Sequence, residues 1–191
     1  MTKYIVLLCA FVVPVFSAAQ NTVSEGARLF FANTASKLSA AEKNAIYTQL
    51  GFLLSADKKQ FILDKESADF PFDVLVYPTD LNKDGKEEVF VQYGNAYTSG
   101  QSGSSIVLFI QDKTGNYKQH LGFPGLTPEV LTTTNQGYPD LIIGGPGFAY
   151  PVWRWNGNAY NLHRQVKEAD LLKLKRTPVE VLSKAYTKAI Q

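Results

Sequence analysis

The chain is 191 residues long, with 19 Lys and Arg against 17 Asp and Glu, two His, one Cys and one Met. The near balance of charge excludes the basic footprint that nucleic acid requires, and a single Cys excludes an internal disulfide framework. The length is one domain's worth.

Taken from the start, the chain carries Lys3, an apolar run from Tyr4 to Phe16, and the small residues Ser17 and Ala19 at the minus-three and minus-one positions of a cleavage site. This pattern predicts a secretory signal peptide over residues 1–19, cut near Ala19, and a protein that works in the periplasm or outside the cell. The apolar run is shorter than the about 20 residues a spanning helix needs, so no membrane span is expected. Lipid attachment at Cys9 does not fit, because Leu8 precedes it and the apolar run continues past it.

Residues 20–37 mix polar side chains with Leu29, Phe30 and Phe31 without a sustained period, and read as a linker with one apolar anchor. A single domain is expected from 38 to 191. Ser39 and Glu42 form a capping-box pattern, followed by Ala41, Ala45, Leu50, Leu53 and Leu54 along one side of a helix reaching about Leu54. Phe61 to Leu63 resumes an apolar run that fits either a short helix or a strand. Between 72 and 164 the pattern changes to short β-prone runs separated by turn residues. Strands are expected over 73–77, 87–93, 105–111, 117–121, 140–144, 152–155 and 159–163, with polar or Gly/Pro loops at 95–104 and 144–151. Thr177, Pro178 and Glu180 then announce a last helix, with Val181, Leu182, Ala185, Tyr186 and Ala189 as its apolar face.

The β region contains an internal repeat. Aligning residues 80–91 with 132–143 matches Gly85 with Gly137, Glu88 with Asp140, and the apolar triplet after each. The hairpins at 106–120 and 152–164 match as well, each reading strand, Gly/Asn turn, aromatic, strand. Two related units are therefore expected.

In the first unit, Asp80, Asn82, Asp84 and Glu88 fall at positions one, three, five and nine of a tight loop, with Gly85 at position six. Oxygen ligands at that spacing, with the carbonyl of Lys86 at position seven, suit a calcium ion. A helical calcium hand would place a Glu at position twelve, where Val91 stands. The plain alternative is a polar turn chosen for its backbone preferences. In the second unit Thr132, Thr134 and Gln136 replace the first three ligands, so no metal is expected there.

The loop and the strand that follows it resemble the FG-GAP or VCBS-type repeat, the calcium-loop blade of integrin-like propellers and of many exported bacterial proteins. The resemblance is good over 80–119 and weaker over 132–164. It implies that Asp80, Asn82, Asp84 and Glu88, with the Lys86 carbonyl, hold a structural calcium with an affinity of about 10⁻⁵ to 10⁻³ M. Lys83 and Glu88 depart from the usual small residue and Asp. Two units cannot close a propeller, which needs about four blades. The expected fold is therefore α+β, an antiparallel β-sheet of two blade-like units packed with N- and C-terminal helices.

The aromatic run at 147–160 is the second candidate site. As a strand, 152–155 puts Trp153 and Trp155 on one face and Val152 and Arg154 on the other. Together with Tyr150 these residues could offer a protein or a carbohydrate an aromatic surface, or one face could simply be core. Ser55 with Lys58, Tyr93 with Asn95, and the triplet 113–115 resemble the serine signature of penicillin-binding proteins, although they are crowded and the triplet sits in a turn. His120 and His163 occupy matching places in the two units and read as relics of the repeat.

The functional expectation is an exported binding module with a structural calcium loop, its partner surface formed by the 95–104 loop and the aromatic run. One alternative is an exported inhibitor or immunity-type protein acting on a cell-wall hydrolase. Another is a hydrolase using Asp80, Asp84 or Glu88 as acid and base, although ligand duty would consume those side chains.

Overall fold

The computed structural model describes residues 22–145 and 149–191. The expected signal peptide and part of the Gly/Pro loop lie outside the described residues. Among those described, no helix is long and apolar enough to cross a membrane.

The segment expected to be a linker instead carries a helix, α1 (Glu25–Phe30), capped by the Ser24 hydroxyl, which accepts from the Ala27 N–H. It buries Ala27, Phe30 and Phe31. Gly26 lets it close on the next helix, since a Cβ there would lie 2.2 Å from the Tyr47 ring. That next helix, α2 (Ala40–Leu50), starts at the expected Ser39/Glu42 capping box and stops four residues earlier than expected, at Gly51 in the left-handed region. Its packed side is Ile46 with Tyr47 and Leu50, while Ala41 and Ala45 face solvent. Two short strands, β1 (Leu53–Leu54) and β2 (Phe61–Ile62), pair beyond it.

The expected α+β architecture is present as two antiparallel meanders joined in series. The first sheet is β3 (Val74–Thr79), β4 (Glu88–Tyr93), β5 (Ser105–Gln111) and β6 (Tyr117–Pro124), in chain order, with the short helix α3 (Ala96–Ser99) in the β4–β5 loop. The second is β7 (Glu129–Asn135), β8 (Tyr138–Ile142), β9 (Ala149–Trp155) and β10 (Tyr160–Lys167). After α4 (Glu168–Leu171), β11 (Arg176–Pro178) adds beside β7, and α5 (Val179–Ala189) ends the chain. The Thr177/Glu180 capping box does not form: Thr177 lies in β11, and α5 starts with no side-chain cap. Its packed face is rotated from the expected one, with Val179 and Ser183 buried and Val181 exposed.

Alternation along the strands sorts the core into layers. Val89, Val91, Val107 and Phe109 point from the first sheet toward α1, α2 and the aromatic cluster of Phe30, Phe52, Phe61 and Phe72. Their neighbours Phe90, Ile106, Leu108 and Ile110 point the other way, onto Val130, Leu141, Ile143 and Trp155 of the second sheet. Leu131, Ile142, Val152 and Val166 form that sheet's far face and are met by Leu171 and Leu174. The order of layers is helices, sheet, sheet, and the α4 segment.

The two units repeat one another in register as well as in sequence. Phe90 pairs with Leu108 as Ile142 pairs with Val152, and Val89 pairs with Phe109 as Leu141 pairs with Trp153. Tyr117 donates its hydroxyl to the Glu87 carbonyl at 2.9 Å, and Tyr160 does the same to the Pro139 carbonyl at 2.9 Å. Gly85 and Gly137 both turn the first hairpin at positive φ, 86° and 87°.

Candidate functional site

The acidic loop joins β3 to β4 at one end of the first sheet. Asp80 follows the last residue of β3 and Glu88 opens β4, which fixes the distance the loop must span. Within it, side-chain oxygens are turned onto backbone amides: Asp80 Oδ2 accepts from Gly85 N–H at 3.1 Å, Asn82 Oδ1 from Asp84 N–H at 3.1 Å, and Asp84 Oδ1 from Lys86 N–H at 2.8 Å. Asn82 Nδ2 donates to the other Asp84 oxygen at 3.0 Å. Lys83, Asp84, Gly85 and Lys86 are exposed; Asn82 is half-buried.

Glu88 is different, being only 2% exposed. Its Oε2 accepts from Leu81 N–H at 2.6 Å, and its Oε1 accepts from the Tyr138 hydroxyl at 3.1 Å. Tyr138 belongs to the second unit, so this carboxylate ties the two sheets together. Burial, helped by the charges of Asp84 and Asp80, outweighs the opposing pull of the Leu81 amide and the Tyr138 hydroxyl and holds the Glu88 carboxyl up at about 7. Burial raises the Tyr138 phenol, and Glu88 and Asp84 add to that shift.

The residues expected to hold calcium are thus gathered on one loop, but among the described residues no three His, Cys, Asp or Glu side chains form a ready metal cage. One atom is left over. Asp80 Oδ1 is buried and has no hydrogen-bond partner among the described residues. A buried acceptor without a donor costs about 1–3 kcal/mol, and a cation beside it would remove that cost. The donor set is all oxygen, as calcium prefers, and the loop fits that ion by chemistry.

The second unit answers the same problem differently. Asp140, the counterpart of Glu88, is 1% exposed and accepts from Arg154 Nε at 2.8 Å, Arg154 Nη2 at 2.7 Å and the Thr133 hydroxyl at 2.5 Å. A break in register between Val130 and Thr134 brings Thr133 within reach. Burial alone would push the Asp140 carboxyl up, but the Arg154 and Thr133 bonds outweigh it and hold it below its ordinary value. In the first unit the place of Arg154 is taken by Ile110, which carries no charge.

Among its described residues, the aromatic run forms no fully exposed platform. Trp155 is buried, 4.7 Å from the Tyr138 ring and 5.5 Å from that of Tyr160; Trp153 stacks on Phe123 at 5.0 Å. Tyr150 packs on the far-face cluster, and Arg154 is spent on Asp140. Of the residues expected to meet a partner, Trp155 is core, Tyr150 and Trp153 are half-buried against neighbouring side chains, and Arg154 is in an ion pair.

Nor do the serine fragments assemble. The Ser55 hydroxyl donates to Asp57 at 2.8 Å, Lys58 pairs with Glu25 at 3.1 Å, and Lys113 to Gly115 lie in the β5–β6 turn. His120 lies against Trp155, where burial lowers its pKa, and His163 is exposed. Sequence reasoning missed Tyr138 and the role of Arg154, since both act across strands. The alignment of Glu88 with Asp140 was the signal that a buried acid needs a partner in each unit.

Comparison with protein-family models, with curated proteins and with solved structures returns no match.

Proposed function

We propose that the chain is an exported, non-enzymatic binding module of the FG-GAP/VCBS type, in which the 80–88 loop holds a structural calcium at the junction of two blade-like units. The observation that carries this reading is the contrast between the two buried acids. Asp140 has a guanidinium of the protein's own, whereas among the described residues Glu88 forms no ion pair and Asp80 Oδ1 has no partner. Asp80, Asn82, Asp84 and Glu88 would hold the ion, with the Lys86 carbonyl beside them. The ion would supply positive charge and cross-link the ends of β3 and β4; it is assigned no part in bond making.

The chain's own residues do the rest. Glu88 passes the loop's state to the second unit through Tyr138, so an ordered loop means an ordered junction. Export follows from the N-terminal pattern alone.

Thermal unfolding in chelator, in millimolar calcium and in magnesium tests the reading. For a dissociation constant of about 10 μM, 1 mM calcium is about a hundredfold excess and stabilises by roughly 2.7 kcal/mol. The melting temperature rises by about 5 to 10 °C in calcium, not in magnesium, and Asp84→Ala abolishes the rise. A wild-type protein that melts identically in all three solutions refutes the calcium loop.

A further inference from the structure

We propose that a groove at the opposite end of the first sheet from the acidic loop binds a neutral oligosaccharide. This rests on the binding-module reading and names its ligand class. The groove has a volume of about 470 Å³, inside the range of about 300–1,000 Å³ usual for small-molecule sites, and is lined by Gln60, Asp73, Leu75, Gln92, Asn95 and Ser104 among others. It lies where β3 begins and β4 ends, beside the 95–104 loop that sequence analysis assigned to partner contact.

Three features define the ligand. The first is an aromatic pair beside the groove, outside its lining but joined to it through Pro71 and Asn95: Phe70 and Tyr97 lie flush, ring centroids 3.9 Å apart and 4° from parallel, yet remain 43% and 58% exposed. Large aromatic rings so exposed are held in place, not left loose. Asn95 caps α3 and its Nδ2 donates to the Phe70 and Pro71 carbonyls, each at 3.2 Å, fastening the Tyr97 loop to the Phe70 loop. Leu75, 51% exposed, adds apolar surface to the groove lining itself.

The second feature is a set of planar polar groups held in fixed orientation. Gln92 is clamped between Ser104, to which it donates at 3.2 Å, and Thr127, from which it accepts at 2.8 Å. Gln60 Nε2 donates to Asp73 Oδ1 at 3.1 Å, and among the described residues no hydrogen bond uses Gln60 Oε1 or Asp73 Oδ2. Those two acceptors are positioned to take hydroxyl protons.

The third is charge. The lining holds one carboxylate and no Lys or Arg, which disfavours phosphate, sulfate or uronate groups. A sugar ring combines an apolar C–H face with hydroxyls around its edge. An aromatic pair beside fixed acceptors matches that combination.

Calorimetric titration of the folded protein with neutral cello-, xylo-, malto- and chito-oligosaccharides, in calcium and in chelator, tests the proposal. Binding to at least one type is expected, weakened about tenfold or more by Tyr97→Ala and also weakened by Asp73→Asn, with melting temperatures unchanged. Leu172→Ala, at a position 89% exposed and remote in sequence, serves as the control that leaves binding intact. Absence of binding to every oligosaccharide overturns the proposal, as does binding that neither variant alters. A calcium-dependent melting shift without saccharide binding overturns the groove alone and leaves the calcium reading standing. Saccharide binding that persists in chelator supports the groove whatever becomes of the metal.

Discussion

Glu88 and Asp140 stand at the same point of the two units, both buried, but Asp140 is held by the Arg154 guanidinium while Glu88 is held by the Leu81 amide and the Tyr138 hydroxyl. A charge-assisted pair favours the ionised acid, whereas burial beside two further carboxylates favours the protonated one. The same position therefore titrates in opposite directions in the two units.

Removing Arg154 strands a buried carboxylate, which is more damaging than removing the pair. Arg154→Ala is expected to lower the urea midpoint sharply, and Arg154→Ala combined with Asp140→Asn to recover much of the loss. Equilibrium unfolding of the single and double variants at pH 7 checks this through the coupling between the two sites.

Glu88 makes stability fall with rising pH. Its folded-state value of about 7 lies above the ordinary 4.5, so the folded protein binds the extra proton. Its contribution is intact below about pH 4.5, is lost between there and about pH 7, and amounts to roughly 3 kcal/mol. In chelator, Glu88→Gln is expected to be the more stable protein at pH 8 and to show a flatter profile from pH 5 to 8. Denaturant unfolding across that range is the measurement. Asp140 acts the other way, its contribution disappearing as acid protonates it below the usual carboxylate range.

The tyrosines that repeat between the units can be compared directly. Tyr117→Phe and Tyr160→Phe each remove a buried hydroxyl donor from a backbone carbonyl, and each should cost about 1–2 kcal/mol. Similar losses in urea midpoint are expected for the two. A large loss in one and none in the other would separate what the geometry makes equivalent.

The N-terminal helix is a structural part of the domain. Phe30 is 3% exposed and sits among Phe31, Tyr47 and Phe61, so Phe30→Ala should cost about 3–5 kcal/mol. Val181→Ala, at a position 52% exposed on α5, should stay within about 0.5 kcal/mol. Thermal melts of both variants decide whether 22–37 belongs to the cooperative unit.

Most strands were legible because their apolar runs are short and bounded by turn residues; Ser105–Gln111 was read to the residue. Glu129–Asn135 was not, because only Val130 and Leu131 are apolar and the three threonines after them read as turn. Helix α1 is too short for a period to show, although Ser24 before Glu25 was a cap signal. The acidic loop was legible because its ligands are neighbours in sequence. Tyr138 over Glu88 and Arg154 on Asp140 were not, since 50 and 14 residues separate the partners: the first contact needs the two sheets stacked and the second needs β8 paired with β9. The Phe70/Tyr97 pair was hidden for the same reason: its two rings belong to different loops, fastened by one asparagine.

The helical covers on the outer faces bear on how such a chain could lengthen. Stacked sheets with apolar faces can in principle add layers without limit, and repeat arrays stop only where a different element closes the end. Here α1 and α2 close one end and the α4 segment the other. A further unit gained by duplication would have to enter between the existing two, splitting the Phe90–Trp155 cluster and separating Tyr138 from Glu88. The pair is thus resistant to expansion by the route that builds longer arrays, and engineering a third layer would begin by remaking that one contact.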